Sequence, residues 1–287
     1  MQKLFLLFVT IIFLSYNGFA QDDPYEGYLK NGYHTYEVGS TRYLLADRVN
    51  VRASASTKGE VIANIPIGSE IKILEESSKK LKLNGFKAPW YKVSFETKGK
   101  KQSGYIWGGL ISEGSKKSSK GDGVVFHYGI ASVKTKSEGE YSYEDIYIQV
   151  RASKNGKEIA KIKFQTVGSI TTGHGMTNMG TKGLDNVDDI LHLAFSDQMC
   201  AGANGDIIVF WNDKKFHHVR TLHSGSDAPM FASEEFIYPK DKGGKKGRII
   251  FAEEAGESGM DEGEETVYEY QRKTEYIWTG TELKKAK

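Results

Sequence analysis

Apolar and polar positions alternate in short runs along most of this chain, and a period of two predicts strands. Val49-Asn50-Val51-Arg52 puts two valines on one face and Asn50 and Arg52 on the other. Segments 61–65, 69–74, 90–95 and 104–111 follow the same pattern, and Pro66-Ile67-Gly68 reads as a turn between the second and third strands. Short strands packed so closely within 41–112 predict a small closed barrel, because closure removes unpaired edges.

Residues 124–287 alternate again, as at 145–150 and 205–211, which predicts a second all-β domain of sandwich or propeller-like type. Segment 184–195 is the one candidate helix, with Asp185, Asp188 and Asp189 near its start, where acids suit the helix dipole. Two stretches, 210–216 and 277–283, share the order apolar, Trp, turn pair, polar pair, apolar, and each predicts a β-hairpin. Between the two regions, residues 113–123 hold no apolar side chain and predict a linker. The predicted fold class is mostly β throughout: a small barrel followed by the second domain.

Composition narrows the class. The 287 residues are 39% hydrophobic and 12% aromatic, too apolar for a disordered chain, and 32 Gly with 5 Pro is too few for a collagen-like one. One Cys excludes an internal disulfide framework, and Cys200 reads as a small buried hydrophobe. A net charge of +2 gives no overall signal for nucleic acid.

The N-terminus changes the picture further. Lys3, the mostly apolar stretch 4–16 and Gly18-Phe19-Ala20 form a secretory signal peptide, with cleavage expected after Ala20. That stretch is shorter than the roughly 20 residues of a membrane span, and no later segment is long and apolar enough, so no transmembrane anchor is expected. The mature chain is expected to be secreted or periplasmic. A tyrosine-rich lead-in, 21–40, precedes the barrel.

The strand Val49-Asn-Val-Arg52, the turn Ile65-Pro-Ile-Gly-Ser69, Trp90-Tyr-Lys-Val93 and Gly104-Tyr-Ile106 with Leu110 occur in this order. Together they resemble the bacterial SH3-like domain family over residues 41–112. The resemblance implies a non-catalytic barrel of the cell envelope that binds wall peptides or other extracellular ligands. Two departures stand out: a basic insertion, 77–88, lengthens the loop before Trp90, and Tyr105 replaces a usual Trp. If Tyr91, Val93 and Ile106 face the barrel interior, alternation turns Trp90, Tyr105 and Trp107 outward. Those three are the candidate ligand-binding residues, since aromatic faces suit sugar rings and peptides.

No catalytic residue emerges from 124–287. Cys200 lacks the context of a nucleophile, and no His-x-His, His-Glu-x-x-His, nucleophile elbow, P-loop or dinucleotide fingerprint occurs, so no metal or cofactor is expected. Glu234, Glu235, Glu253 and Glu254 remain as carboxylates for glycoside hydrolysis. The acidic stretch 253–265 has the oxygen-rich character of a calcium loop without its regular spacing. The Gly-rich stretch 168–183, carrying His174, is a candidate ligand loop. The expected function is non-catalytic binding at the bacterial cell envelope. Its partner is a wall peptide, a glycan or an envelope protein, and not a nucleic acid. The alternative is an envelope hydrolase with its active site in the second domain.

Overall fold

The computed structural model describes residues 29–30, 33–166, 173–196, 204–259 and 265–287. The signal segment, Cys200 and part of the Gly-rich stretch lie outside the described residues. Strands dominate, as the alternation predicts, and the only helical element among the described residues is a single 3₁₀ turn at Gly108–Leu110. A short ribbon, β1 (Leu29–Lys30) with β2 (Tyr33–His34), comes first.

The barrel is a six-stranded sheet of β3 (Thr41–Tyr43), β4 (Arg48–Arg52), β5 (Val61–Pro66), β6 (Glu70–Leu83), β7 (Phe86–Thr97) and β8 (Lys100–Trp107), in the order β3-β6-β7-β8-β4-β5. It curls as a half-barrel around Val49, Val51, Ile65, Ile71, Ile73, Tyr91, Val93 and Ile106. Tyr36 of the lead-in caps this core, donating its hydroxyl to the Ile111 carbonyl at 2.9 Å. The phenol is held neutral: burial, first, raises its pKa well above the usual tyrosine value.

The basic insertion is not a loop. It extends β6 and β7 into one long hairpin, closed by Asn84 and Gly85 with φ of 54° and 86°. Two successive left-handed residues match the right-handed strand twist, and Asn-Gly tolerates that conformation best.

A four-stranded antiparallel sheet follows, in the order β12-β11-β10-β9: β9 (Gly114–Lys117), β10 (Val124–Glu138), β11 (Tyr141–Lys154) and β12 (Lys157–Gln165). Strand β9 lies inside the predicted linker. Its polar side chains concealed backbone pairing with Val125–Tyr128 of β10, and Glu113 and Ser118 on either side are buried.

The remaining strands form an eight-stranded meander in chain order: β13 (Gly173–Asn178), β14 (Asp189–Ser196), β15 (Asn204–Asn212), β16 (Lys215–Asp227), β17 (Met230–Ile237), β18 (Ile249–Glu257), β19 (Val267–Trp278) and β20 (Leu283–Lys285). The candidate helix is therefore corrected: 184–188 is irregular, and β14 occupies the rest. Strand β14 is buried on both faces, so apolar side chains fill neighbouring positions and mask the period of two. Leu191, Leu193, Val209 and Trp211 face Phe126, Tyr128, Ile148 and Val150 of the four-stranded sheet, as in a sandwich. The opposite face carries Ile190, Ile208 and Phe210 into a further core with Phe236, Phe251 and Trp278. Phe210 and Trp278 meet edge to face at 4.8 Å. Their strands are four apart, roughly 19 Å across a flat sheet at about 4.8 Å per strand, so the meander curls onto itself.

Candidate functional site

Alternation correctly separates the barrel's inward and outward residues. Tyr91, Val93 and Ile106 lie in its core, and Trp90 and Trp107 point away from it. The outward face, however, is not open. Trp90 and Trp107 are 5% and 2% exposed, because they enter the core shared with the two sheets of the second region. Tyr105 is half-buried against that same cluster. The expected aromatic cleft of Trp90, Tyr105 and Trp107 is therefore corrected: these rings join the barrel to its neighbour. The sequence signal for this was the insertion, whose Phe86 stacks obliquely on Trp107 at 5.2 Å and whose Ala88 is buried beside it.

The seam between the two regions continues in polar groups. His127, fully buried, hydrogen-bonds Ser115 Oγ through Nδ1 at 2.7 Å and Ser153 Oγ through Nε2 at 2.8 Å. Desolvation pulls its pKa down to about 4, so the ring is neutral at physiological pH. The turn at Gly68 presses on this pair: an added Cβ there would lie 2.9 Å from Ser153 Oγ and 3.1 Å from His127 Nε2.

His174, expected in a ligand loop, instead sits on β13 with its Nε2 2.9 Å from Glu113 Oε2, both side chains nearly inaccessible. Asp189, also fully buried, accepts from Ser118 Oγ at 2.7 Å, the Ser119 amide at 2.8 Å and Asn178 Nδ2 at 2.8 Å. The segment expected to be a free linker is thus clasped at both ends.

The carboxylates weighed for hydrolysis lie close together on β17 and β18, and three of them have polar partners. Glu234 and Glu253 are cross-strand neighbours, but Glu253 lies 3.6 Å from Arg272 and Glu234 accepts from the His223 amide at 3.1 Å. Glu254 accepts from Gln271 at 3.0 Å. Glu235, Glu253 and Glu254 line one surface depression of about 540 Å³ with Gln271, Arg272 and Lys273, whose amide and cations face the acids. Among the described residues, no group of three or more His, Cys, Asp or Glu is placed to hold a metal ion.

Two further concave surfaces stand out among the described residues. One, of about 570 Å³, lies on the barrel across β3, β6, β7 and β8. Ile71 and Phe95 line it but are almost wholly buried in the barrel core, and Thr41, Ser69, Ser94, Glu70, Lys72, Glu96 and Lys101 supply hydroxyls and both signs of charge. The other, of about 680 Å³, lies at the far end of β16–β19, where Met230 and Val267 are exposed beside Asp227, Glu257 and Glu269.

Residues 47–112 match the bacterial SH3 domain family. The matched segment runs from just before β4 through the 3₁₀ turn to Ser112, so it contains most of the barrel core and all of the charged groove except Thr41 on β3. A bacterial SH3 domain suggests a cell-wall-binding module and fits an extracellular or envelope protein. No curated protein and no solved structure matches the chain significantly. No helix among the described residues is long and apolar enough to cross a membrane.

Proposed function

We propose that this protein is a non-catalytic binding protein of the bacterial cell envelope, exported by its signal peptide, whose SH3 domain acts as an adaptor for a wall peptide, glycan or envelope protein. The observation that carries the reading is the groove of Thr41, Ser69, Ile71, Lys72, Ser94 and Phe95 within or beside the SH3-matched segment. It offers hydroxyls and charges of both signs. That mixture suits a short peptide carrying both a carboxylate and an amine, since polar groups of both signs fix its orientation.

The experiment is retention of the purified chain on insoluble peptidoglycan, compared with a Lys72→Glu/Lys101→Glu variant. The exposed lysines carry no core packing, so folding is retained while groove charge is reversed. Retention by the native chain with marked loss in the variant supports the reading. No retention of the native chain on peptidoglycan, at low salt and saturating load, overturns it.

A further inference from the structure

The hairpin insertion does more than cover the tryptophans. Its tip reaches the free edge of β10, where the Asn84 carbonyl accepts the Val133 amide at 2.9 Å. One face of the hairpin enters the shared core through Phe86 and Ala88. The other presents Lys82 and Lys87, direct cross-strand partners and both exposed. Like charges directly opposite one another on a ladder are destabilising. Neither lysine has a carboxylate partner among the described residues, so nothing local offsets the repulsion.

The contact at Val133 places this tip one residue from Lys134, which opens the outer face of β10–β12. There Lys134 and Lys163 lie over Tyr147 at 4.9 Å and 5.0 Å from its ring centroid. Two acids on this face are already engaged: Asp145 with Lys136 at 2.6 Å, and Glu158 with Arg151 at 2.7 Å. Lys134 and Lys163 pair with no carboxylate among the described residues. Four exposed lysines, two on the hairpin and two on the sheet that its tip touches, thus make up this surface, in a chain whose net charge is only +2.

We infer that this surface binds an anionic polysaccharide, one carrying carboxylate or phosphate groups along its length. Repeating anions match several ammonium groups spread over a sheet, and each neutralised contact releases counterions and makes binding salt-sensitive. Single-stranded nucleic acid is disfavoured because it needs open ring faces for base stacking. Ammonium groups occupy Tyr147 and lie over Tyr143, where Lys136 stands 5.8 Å from the ring centroid. The inference rests on the envelope-binding reading and names a ligand class and a surface distinct from the barrel groove.

The test is equilibrium binding of the full chain to polygalacturonate, with neutral dextran and duplex DNA as comparison ligands, over a series of salt concentrations. Lys82→Glu/Lys87→Glu and Lys134→Glu/Lys163→Glu should each weaken polygalacturonate binding by about tenfold or more and flatten its salt dependence. Lys242→Glu/Lys246→Glu, on an exposed basic loop elsewhere, should change it less than twofold, and the corresponding Gln variants should lie between native and Glu. Thermal unfolding of each variant separates lost binding from lost fold. The inference is overturned if the native chain ignores polygalacturonate at low salt, if the control pair weakens it equally, or if DNA binds as tightly. Peptidoglycan retention that survives in the two test variants, with no polygalacturonate binding, removes this surface and leaves the envelope reading standing. Absence of both interactions removes both.

Discussion

Trp107 donates its indole N–H to the Ala88 carbonyl across 3.1 Å, tying the end of β8 to the inserted half of β7. The Leu81 carbonyl lies at the same distance on the other arm of the hairpin, so one buried donor bridges both. A surface ring would need neither partner. The arrangement makes Trp107 a fastener between the barrel and the second region.

Trp107→Ala should therefore destabilise the whole chain by about 3–5 kcal/mol, through lost burial and a cavity in the shared core. Trp107→Phe retains most of the ring and loses the donor, so it should cost only about 1–2 kcal/mol. Urea unfolding of both variants measures this. A Trp107→Ala midpoint within error of the native protein would show that the seam carries no stability.

Gly85 makes a sharper test of hairpin docking. Its φ is 86°, and a Cβ there would fall 1.8 Å from the Val133 carbonyl oxygen. Gly99 closes the next hairpin at φ 71°, and a Cβ added there would meet nothing within 4 Å. Both alanine variants bear the conformational cost, about 1 kcal/mol, but only Gly85→Ala must also push the tip off β10. Gly85→Ala should lose at least about 1 kcal/mol more than Gly99→Ala. Equal losses would mean that the Asn84–Val133 contact is incidental.

These contacts mark where the chain's pattern was readable and where it stopped. The period of two located the barrel strands and even the outward turn of Trp90 and Trp107, because each barrel strand has one core face. It did not reveal that a second core covers the other face, since an outward ring reads the same under solvent or under protein. Strand β14 failed as a strand for the related reason that both its faces are buried. The linker failed because Glu113, Ser118 and Asp189 make their attachments through hydrogen bonds, which leave no hydrophobic period. The charged groove on the barrel combines β3, β6, β7 and β8, and side chains scattered from Thr41 to Lys101 share it only after the sheet forms.

His127 sets a pH dependence. Its folded pKa, about 4, lies below the unfolded value of about 6.5, so between these pH values the unfolded chain binds more protons. The stability that its neutral burial allows is complete above about pH 6.5 and falls as pH drops towards 4, by roughly 3 kcal/mol in total. Unfolding free energies measured from pH 7.5 to 4 should show this decline, and His127→Gln should flatten that part of the curve while lowering stability at neutral pH. An unchanged slope in His127→Gln would assign the acid sensitivity to other groups.

Asp189 provides the test of the clasped segment. Its buried carboxylate accepts from the buried Ser118 hydroxyl, the Ser119 amide and the half-buried Asn178 side chain. Removing it takes the acceptor from the buried Ser118 hydroxyl, while Asn178 keeps the Lys117 carbonyl, and a buried unsatisfied group costs about 1–3 kcal/mol. Asp189→Ala should therefore lower stability by at least about 2 kcal/mol. The same change should also free the adjacent lysines Lys116, Lys117 and Lys120 for trypsin, since cleavage requires the local backbone to leave its pairing. In the native chain, β9 pairing and the Glu113–His174 contact should make this segment resist limited proteolysis despite its polar, linker-like composition. Mass spectrometry of early tryptic fragments decides the matter. First cuts at these lysines in the native protein would mean that the segment opens independently and that the barrel and the sheets behave as separate units. First cuts there only in Asp189→Ala would identify the carboxylate as what holds the segment closed.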